Sequence, residues 1–162
     1  MRADLDDFIS DLDVLKCEQD FRTKFERTFV AFGFNHYCYV GAKLDPARDP
    51  RSPSRVDDAI YLTNVPAKWT TRYLDEGYYD SDPIVRESAM SRLPMNWTER
   101  LRTRTRSSQE DKMFADALDF GIRRGMSVPI HGPGGEFGLM SLYSDQTDRE
   151  FMKASDAVRH DI

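Results

Sequence analysis

The chain has 162 residues, 28 of them acidic and 23 basic, giving a formal charge of −5. That length suits one domain, long enough to bury roughly two-thirds of its unfolded surface in a single core, and the negative balance excludes recruitment of phosphate backbones by net charge. Two cysteines, Cys17 and Cys38, are too few for a disulfide framework and too far apart for a CxxC motif, so two buried thiols in a reducing cytoplasm are expected. The start, Met1 to Asp7, is acidic without an apolar h-region, and no later stretch approaches the roughly 18 apolar residues of a spanning helix. These features predict a soluble, unexported, cytoplasmic protein with no membrane contact.

Phe21, Phe25, Phe29 and Phe32 recur at helical spacing over residues 18 to 32, with Gly33 placed as a C-cap glycine, which predicts a helix with one buried face. Phe34 to Leu44 is rich in aromatic and β-branched residues and reads as a strand. The turn formers from Asp45 to Ser54 then make an exposed loop before a second strand, Ala59 to Thr63. Asn64 as N-cap, with Pro66 close behind, supports a short helix through Asp75 that ends at Gly77. Ser107-Ser108-Gln109-Glu110 and Thr147-Asp148-Arg149-Glu150 form capping boxes that open two helices, one closed by Gly121 and the other running toward the C-terminus. Between them lie two strands, Met126 to His131 and Glu136 to Tyr143, joined by Gly132-Pro133-Gly134-Gly135 as a hairpin loop. Helices flanking an antiparallel sheet of about five strands is the α/β architecture this order favours.

Trp69, Tyr73, Asp82-Pro83, Pro94 and Trp97 bring a few directed polar atoms into an aromatic setting, the makings of a pocket for a small amphiphile. An indole N–H is only a donor and suits a carbonyl; an ionised aspartate is only an acceptor and suits an amide N–H. Tyr73 follows Trp69 by four residues and shares its helix face. On the residues alone each has a plainer alternative: Asp82 before Pro83 also has the form of an N-cap with proline at the first helical position, and the three aromatics also suit a packed core.

The run from Asn64 to Tyr73, continued through Gly77-Tyr78-Tyr79-Asp80-Ser81-Asp82-Pro83 to Leu93-Pro94-Met95-Asn96-Trp97, resembles the autoinducer-binding domain of LuxR-type quorum-sensing regulators. The resemblance extends through Gly125 to Gly132 and Gly135 to Leu142 and covers most of the chain from Phe29 onward. It implies an α/β/α sandwich across residues 1–162, a fifth short strand around Met95 to Thr98, and a ligand held between the sheet and one helical layer. The implied ligand is an N-acyl-homoserine lactone, with no metal or other cofactor. Also implied are a homodimer and DNA contact only through a C-terminal helix-turn-helix domain outside this chain.

By motif position the lactone-carbonyl donor falls on Trp69, the amide acceptor on Asp82 and the aromatic wall on Trp97, with Tyr73 packed over the ligand and Ser127 and Ser141 near the acyl carbonyl. The resemblance puts Cys38, Val40, Ala42, Ala59, Val85 and Leu139 toward the acyl tail. Where most of the family has a tyrosine four residues before the helix tryptophan, this chain has Val65, and Tyr61 is the candidate to replace the lost hydroxyl or to fill tail space. A crowded tail end predicts a preference for short, branched or aryl acyl groups. A sensor of a non-lactone signal on the same fold, and a regulator that inhibits a full-length partner, are the alternatives.

Enzyme features are sparse. His36 and Cys38 alternate onto one strand face without a third orienting group, a thin basis for a Cys38 hydrolase. His131 and His160 lack metal-ligand spacing, and Gly132 to Gly135 lacks the lysine and following helix of a phosphate loop. The alternating Arg100, Arg102, Arg104 and Arg106 read as a solvated loop face.

Overall fold

The structure, a computed structural model, describes residues 10–11, 14–43, 60–97 and 106–161. The chain runs α1 (Glu18–Ala31), β1 (His36–Lys43), β2 (Ile60–Thr63), α2 (Ala67–Asp75), a 3-10 turn (Tyr78–Asp80), α3 (Pro83–Ala89), β3 (Met95–Asn96), α4 (Ser108–Asp119), β4 (Arg124–His131), a 3-10 turn (Pro133–Gly135), β5 (Glu136–Ser144) and α5 (Asp148–Asp161). The strands form one sheet in the order β2-β1-β5-β4-β3, with every adjacent pair antiparallel. Strand alternation gives this sheet two buried faces. Phe25, Phe29 and Phe32 of the first helical segment and Phe151 of α5 pack on one face against Tyr37, Met126 and Leu142. Trp69, Ile84, Met113 and Ala117, from α2, α3 and α4, pack on the other with Trp97 and Ile122. The expected α/β/α sandwich is therefore observed.

Local chemistry accounts for most element ends. Gly33, at φ +89°, terminates α1 where the sequence places the cap. Ser107 accepts from the Glu110 N–H while the Glu110 carboxylate accepts from the Ser107 N–H, a complete capping box. Thr147 and Glu150 make the same reciprocal pair at the start of α5. Asn64, by contrast, is not the N-cap of α2; Pro66 holds that position. The Asn64 side chain instead accepts from the Tyr37 N–H at 2.7 Å and donates to the Asn35 carbonyl, tying the end of β2 to the start of β1. The strand around Met95 is two residues long, with Trp97 beyond it and Thr98 outside the described residues. Of the two cysteines only Cys38 is buried; Cys17 is exposed at the N-cap of α1, contrary to the expectation of two buried thiols. The loop from Asp45 to Ser54 and Arg100, Arg102 and Arg104 lie outside the described residues.

Candidate functional site

The register of the sheet arranges the residues on the face under α2, α3 and α4 in transverse rows. Thr63, Cys38, Ser141 and Ser127 form a polar row across four strands. On one side lies the row Tyr61, Val40, Leu139 and Pro129; on the other lie His36, Tyr143 and Gly125. Over these rows sit the helical-layer residues Trp69 and Tyr73 of α2, Asp82 at the N-cap of α3, and Met113 of α4, lining a cavity of about 100 Å³. This is well under the roughly 300–1,000 Å³ of common ligand clefts, so a ligand larger than a small ring must displace side chains of the lining.

Most of the sequence-derived residues line one cavity. Trp69, Tyr73, Asp82, Trp97, Ser141, Tyr61, Val65, Cys38, Val40, Val85 and Leu139 all line the cavity. Ser127 does not: it is fully buried, and its hydroxyl bonds that of Ser141 at 2.8 Å. Ala42 belongs to β1 opposite Phe137, and Ala59 lies outside the described residues. Tyr143, Ile84, Met113 and Ile122 line the cavity without having been anticipated. Tyr143 was legible in principle, because it follows Ser141 by two residues and strand alternation puts both on one face.

Trp69 packs edge-on against Tyr73 at 5.6 Å and at a tilt against Phe120 at 5.7 Å, which fixes its indole as a wall of the cavity. The Asp82 carboxylate has two distinct tasks. Oδ1 accepts from the Ile84 N–H at 2.7 Å, capping α3, and Oδ2 accepts from the Tyr73 hydroxyl at 2.8 Å. The cap and the ligand-contact readings are thus compatible within one side chain. Burial raises the Asp82 pKa above its ordinary value, opposed by these hydrogen bonds. Tyr73 is pushed well up, first by burial and then by the Asp82 charge, so its phenol is a neutral donor.

Trp97 is held by a gap in β4. A Cβ on Gly125 would stand 1.9 Å from Trp97 Cζ2 and 2.8 Å from the Leu142 carbonyl, so the indole can lie there only over glycine. Its other neighbour is Tyr143, ring to ring at 5.9 Å and 69°. The Trp97 Nε1 is buried and has no hydrogen-bond partner among the described residues. Tyr61 stands on the edge strand with its hydroxyl beside Cys38 and Thr70, and burial pushes its phenol up; Thr70 Oγ1 itself makes no hydrogen bond of good geometry. Cys38 is likewise pushed up, chiefly by burial, the opposite of what a thiolate nucleophile needs. His36, on the same strand, turns its Nδ1 to the Asn64 carbonyl at 3.2 Å. Among the described residues no cluster of three metal-ligating side chains occurs, and no helix is long and apolar enough to cross a membrane.

A larger hollow of about 800 Å³ lies on the opposite face of the sheet, between Phe21, Phe25 and Phe29 of α1 and Val128 and Met140. Its lining is overwhelmingly apolar and lacks the converging donors and acceptors of the smaller cavity. Polar complementarity, rather than volume, makes the smaller one the candidate site.

Comparison with known proteins gives the family and the fold. Residues 18–162 match the family described as autoinducer binding domain. The chain is 32% identical over 105 residues to the transcriptional activator protein LuxR of Aliivibrio fischeri, covering 62% of this chain and 42% of that protein. It is 29% identical over 127 residues to the transcriptional activator protein TraR of Agrobacterium vitis, covering 78% and 49%. Among solved structures, the N-acylhomoserine lactone dependent LuxR family transcription factor CepR2 of Burkholderia cenocepacia shares the fold with a TM-score of 0.72 at 22% identity, covering 98% of this chain and 92% of that one. The chain thus spans about half or less of the length of these two curated relatives.

Proposed function

Because this chain belongs to the autoinducer-binding domains of LuxR-type transcriptional regulators, we propose that its cavity binds an N-acyl-homoserine lactone and that this burial stabilises the fold and a homodimer. The observation that carries the reading is the meeting of Asp82 with Trp69, Tyr73 and Trp97 in one cavity. Asp82 offers the amide an acceptor, Trp69 offers the ring carbonyl an N–H, and Trp97 walls the ring. A buried amide left unpaired costs about 1–3 kcal/mol, so each of these partners favours a ligand of that polarity. Tyr61 and Val40, beyond the polar row, favour short, branched or aryl acyl groups. DNA contact is expected of a helix-turn-helix segment outside residues 1–162.

Ligand that binds only the folded state stabilises it by about 2.7 kcal/mol at a hundredfold excess over the dissociation constant. Scanning calorimetry with a panel of acyl-homoserine lactones should therefore raise the melting temperature for at least one. No shift across the panel at saturating concentrations would refute the assignment.

A further inference from the structure

We propose that Tyr143 is the residue that donates to the ligand's acyl carbonyl in this chain, taking the place in the cavity that Val65 leaves without a hydroxyl. The inference rests on the reading of the cavity as an acyl-homoserine lactone site. A secondary amide is trans, so its N–H and C=O point to opposite sides. Asp82 belongs to the helical layer at the head of α3, so an amide that directs its N–H to Asp82 directs its carbonyl at the sheet.

Thr63, Ser127 and Ser141 make hydrogen bonds within the sheet, which leaves the phenols of Tyr61 and Tyr143 as the other sheet hydroxyls at the cavity. Thr63 donates to the Tyr37 carbonyl at 2.7 Å. Ser127 and Ser141 bond each other at 2.8 Å. Tyr61 stands in the row on the far side of the polar row from Trp97, its hydroxyl beside Cys38 and Thr70. Tyr143 stands in the row on the Trp97 side, its ring braced against that indole at 5.9 Å. Ser141 and Asp82 both lie near enough to influence the same phenol. Burial keeps the phenol protonated. The Tyr143 phenol therefore brings a neutral O–H into the cavity beside the polar row. Val65 lines the same cavity with carbon only.

The test is a calorimetric cycle of two ligands on three proteins: the wild type, Tyr143→Phe and Tyr61→Phe. One ligand is the tightest-binding acyl-homoserine lactone and the other is its analogue with the acyl carbonyl replaced by methylene. Tyr143→Phe should weaken the acyl lactone roughly 5- to 10-fold, the worth of a neutral hydrogen bond, and leave the affinity for the methylene analogue unchanged. The ratio of the two affinities on one variant cancels any change in folding. Equal loss for both ligands, or loss for neither, overturns the proposal, as does a carbonyl-dependent loss carried by Tyr61→Phe instead. A wild-type chain that binds no acyl-homoserine lactone overturns the lactone reading and this proposal together, whereas a wild type that binds with Tyr143→Phe unaffected overturns only the latter.

Discussion

Asp82 couples the fold to the site because its two oxygens face different ways. One closes the first turn of α3 and the other meets the Tyr73 phenol at the cavity wall. Its raised pKa has a definite consequence for pH. The folded apo state holds a proton that the unfolded chain has already released, so this group's contribution to stability falls as pH rises from the unfolded value, near 4, through the folded one. A ligand amide N–H prefers the carboxylate and pulls the pKa back down, so lactone affinity should strengthen as pH rises over the same window. Asp82→Asn should flatten that dependence and weaken binding about 10- to 150-fold, the range for a hydrogen bond to a charged group. Affinity measured between about pH 4 and pH 8 on both proteins checks this. Parallel profiles would mean that another group titrates.

At the scale of elements, the decisive contact is between the end of β3 and the middle of β4. Only two residues of β3 pair with β4, yet Trp97 just beyond them is positioned closely because Gly125 leaves the space for its indole. Gly125→Ala should therefore push the indole and the Tyr143 ring into the cavity, since the alternative is movement of the Leu142 carbonyl within the central strand. Overpacking of this kind typically costs about 1–3 kcal/mol. The expected outcome is a lower midpoint of denaturant unfolding together with loss of lactone binding. An unchanged midpoint with full binding would show that Trp97 has another place to go. The same element logic explains why Asn64 is spent on β1 rather than on α2. Pro66 already begins the helix with its φ fixed and no N–H to satisfy, leaving the amide side chain free to join two strand ends.

At the scale of the whole molecule, two layers of helices on a five-stranded sheet create two interiors of different character. The face covered by α1 and α5 is mainly apolar, with Tyr37, Asn96 and Ser155 among its buried polar side chains, whereas the face covered by α2, α3 and α4 carries Asp82, the phenols of Tyr73 and Tyr143 and the row of hydroxyls. The polar cavity's volume of about 100 Å³ sets the expectation for ligand size. A long acyl chain must displace Tyr61, Val40 or Leu139, and a penalty of about 1–3 kcal/mol for overpacking amounts to roughly 5- to 150-fold in affinity. Affinities across a series from four to about twelve acyl carbons should fall with length. A maximum at the long end would show that the tail leaves the cavity past the edge strand.

The sequence by itself determined most of the elements and most of the residues that line the smaller cavity, because those depend on short-range chemistry. The phenylalanine period of α1, the Ser107 and Thr147 capping boxes and the alternation along β4 and β5 are each written within a few residues. The spaced tryptophans, Tyr73 and Asp82 carried the family resemblance and fell together around one cavity. What only the tertiary structure decided is how hydroxyls from different strands share the space. Ser127 was expected at the ligand but is turned to Ser141, and Tyr143 entered the cavity unannounced. The Ser127–Ser141 pairing depends on the register between β4 and β5, which aligns residues more than ten positions apart in the chain, and Tyr143 meets Trp97 through the same register at Gly125. Side-chain alternation assigns a strand residue to a face, but pairing across strands decides which neighbours it meets there.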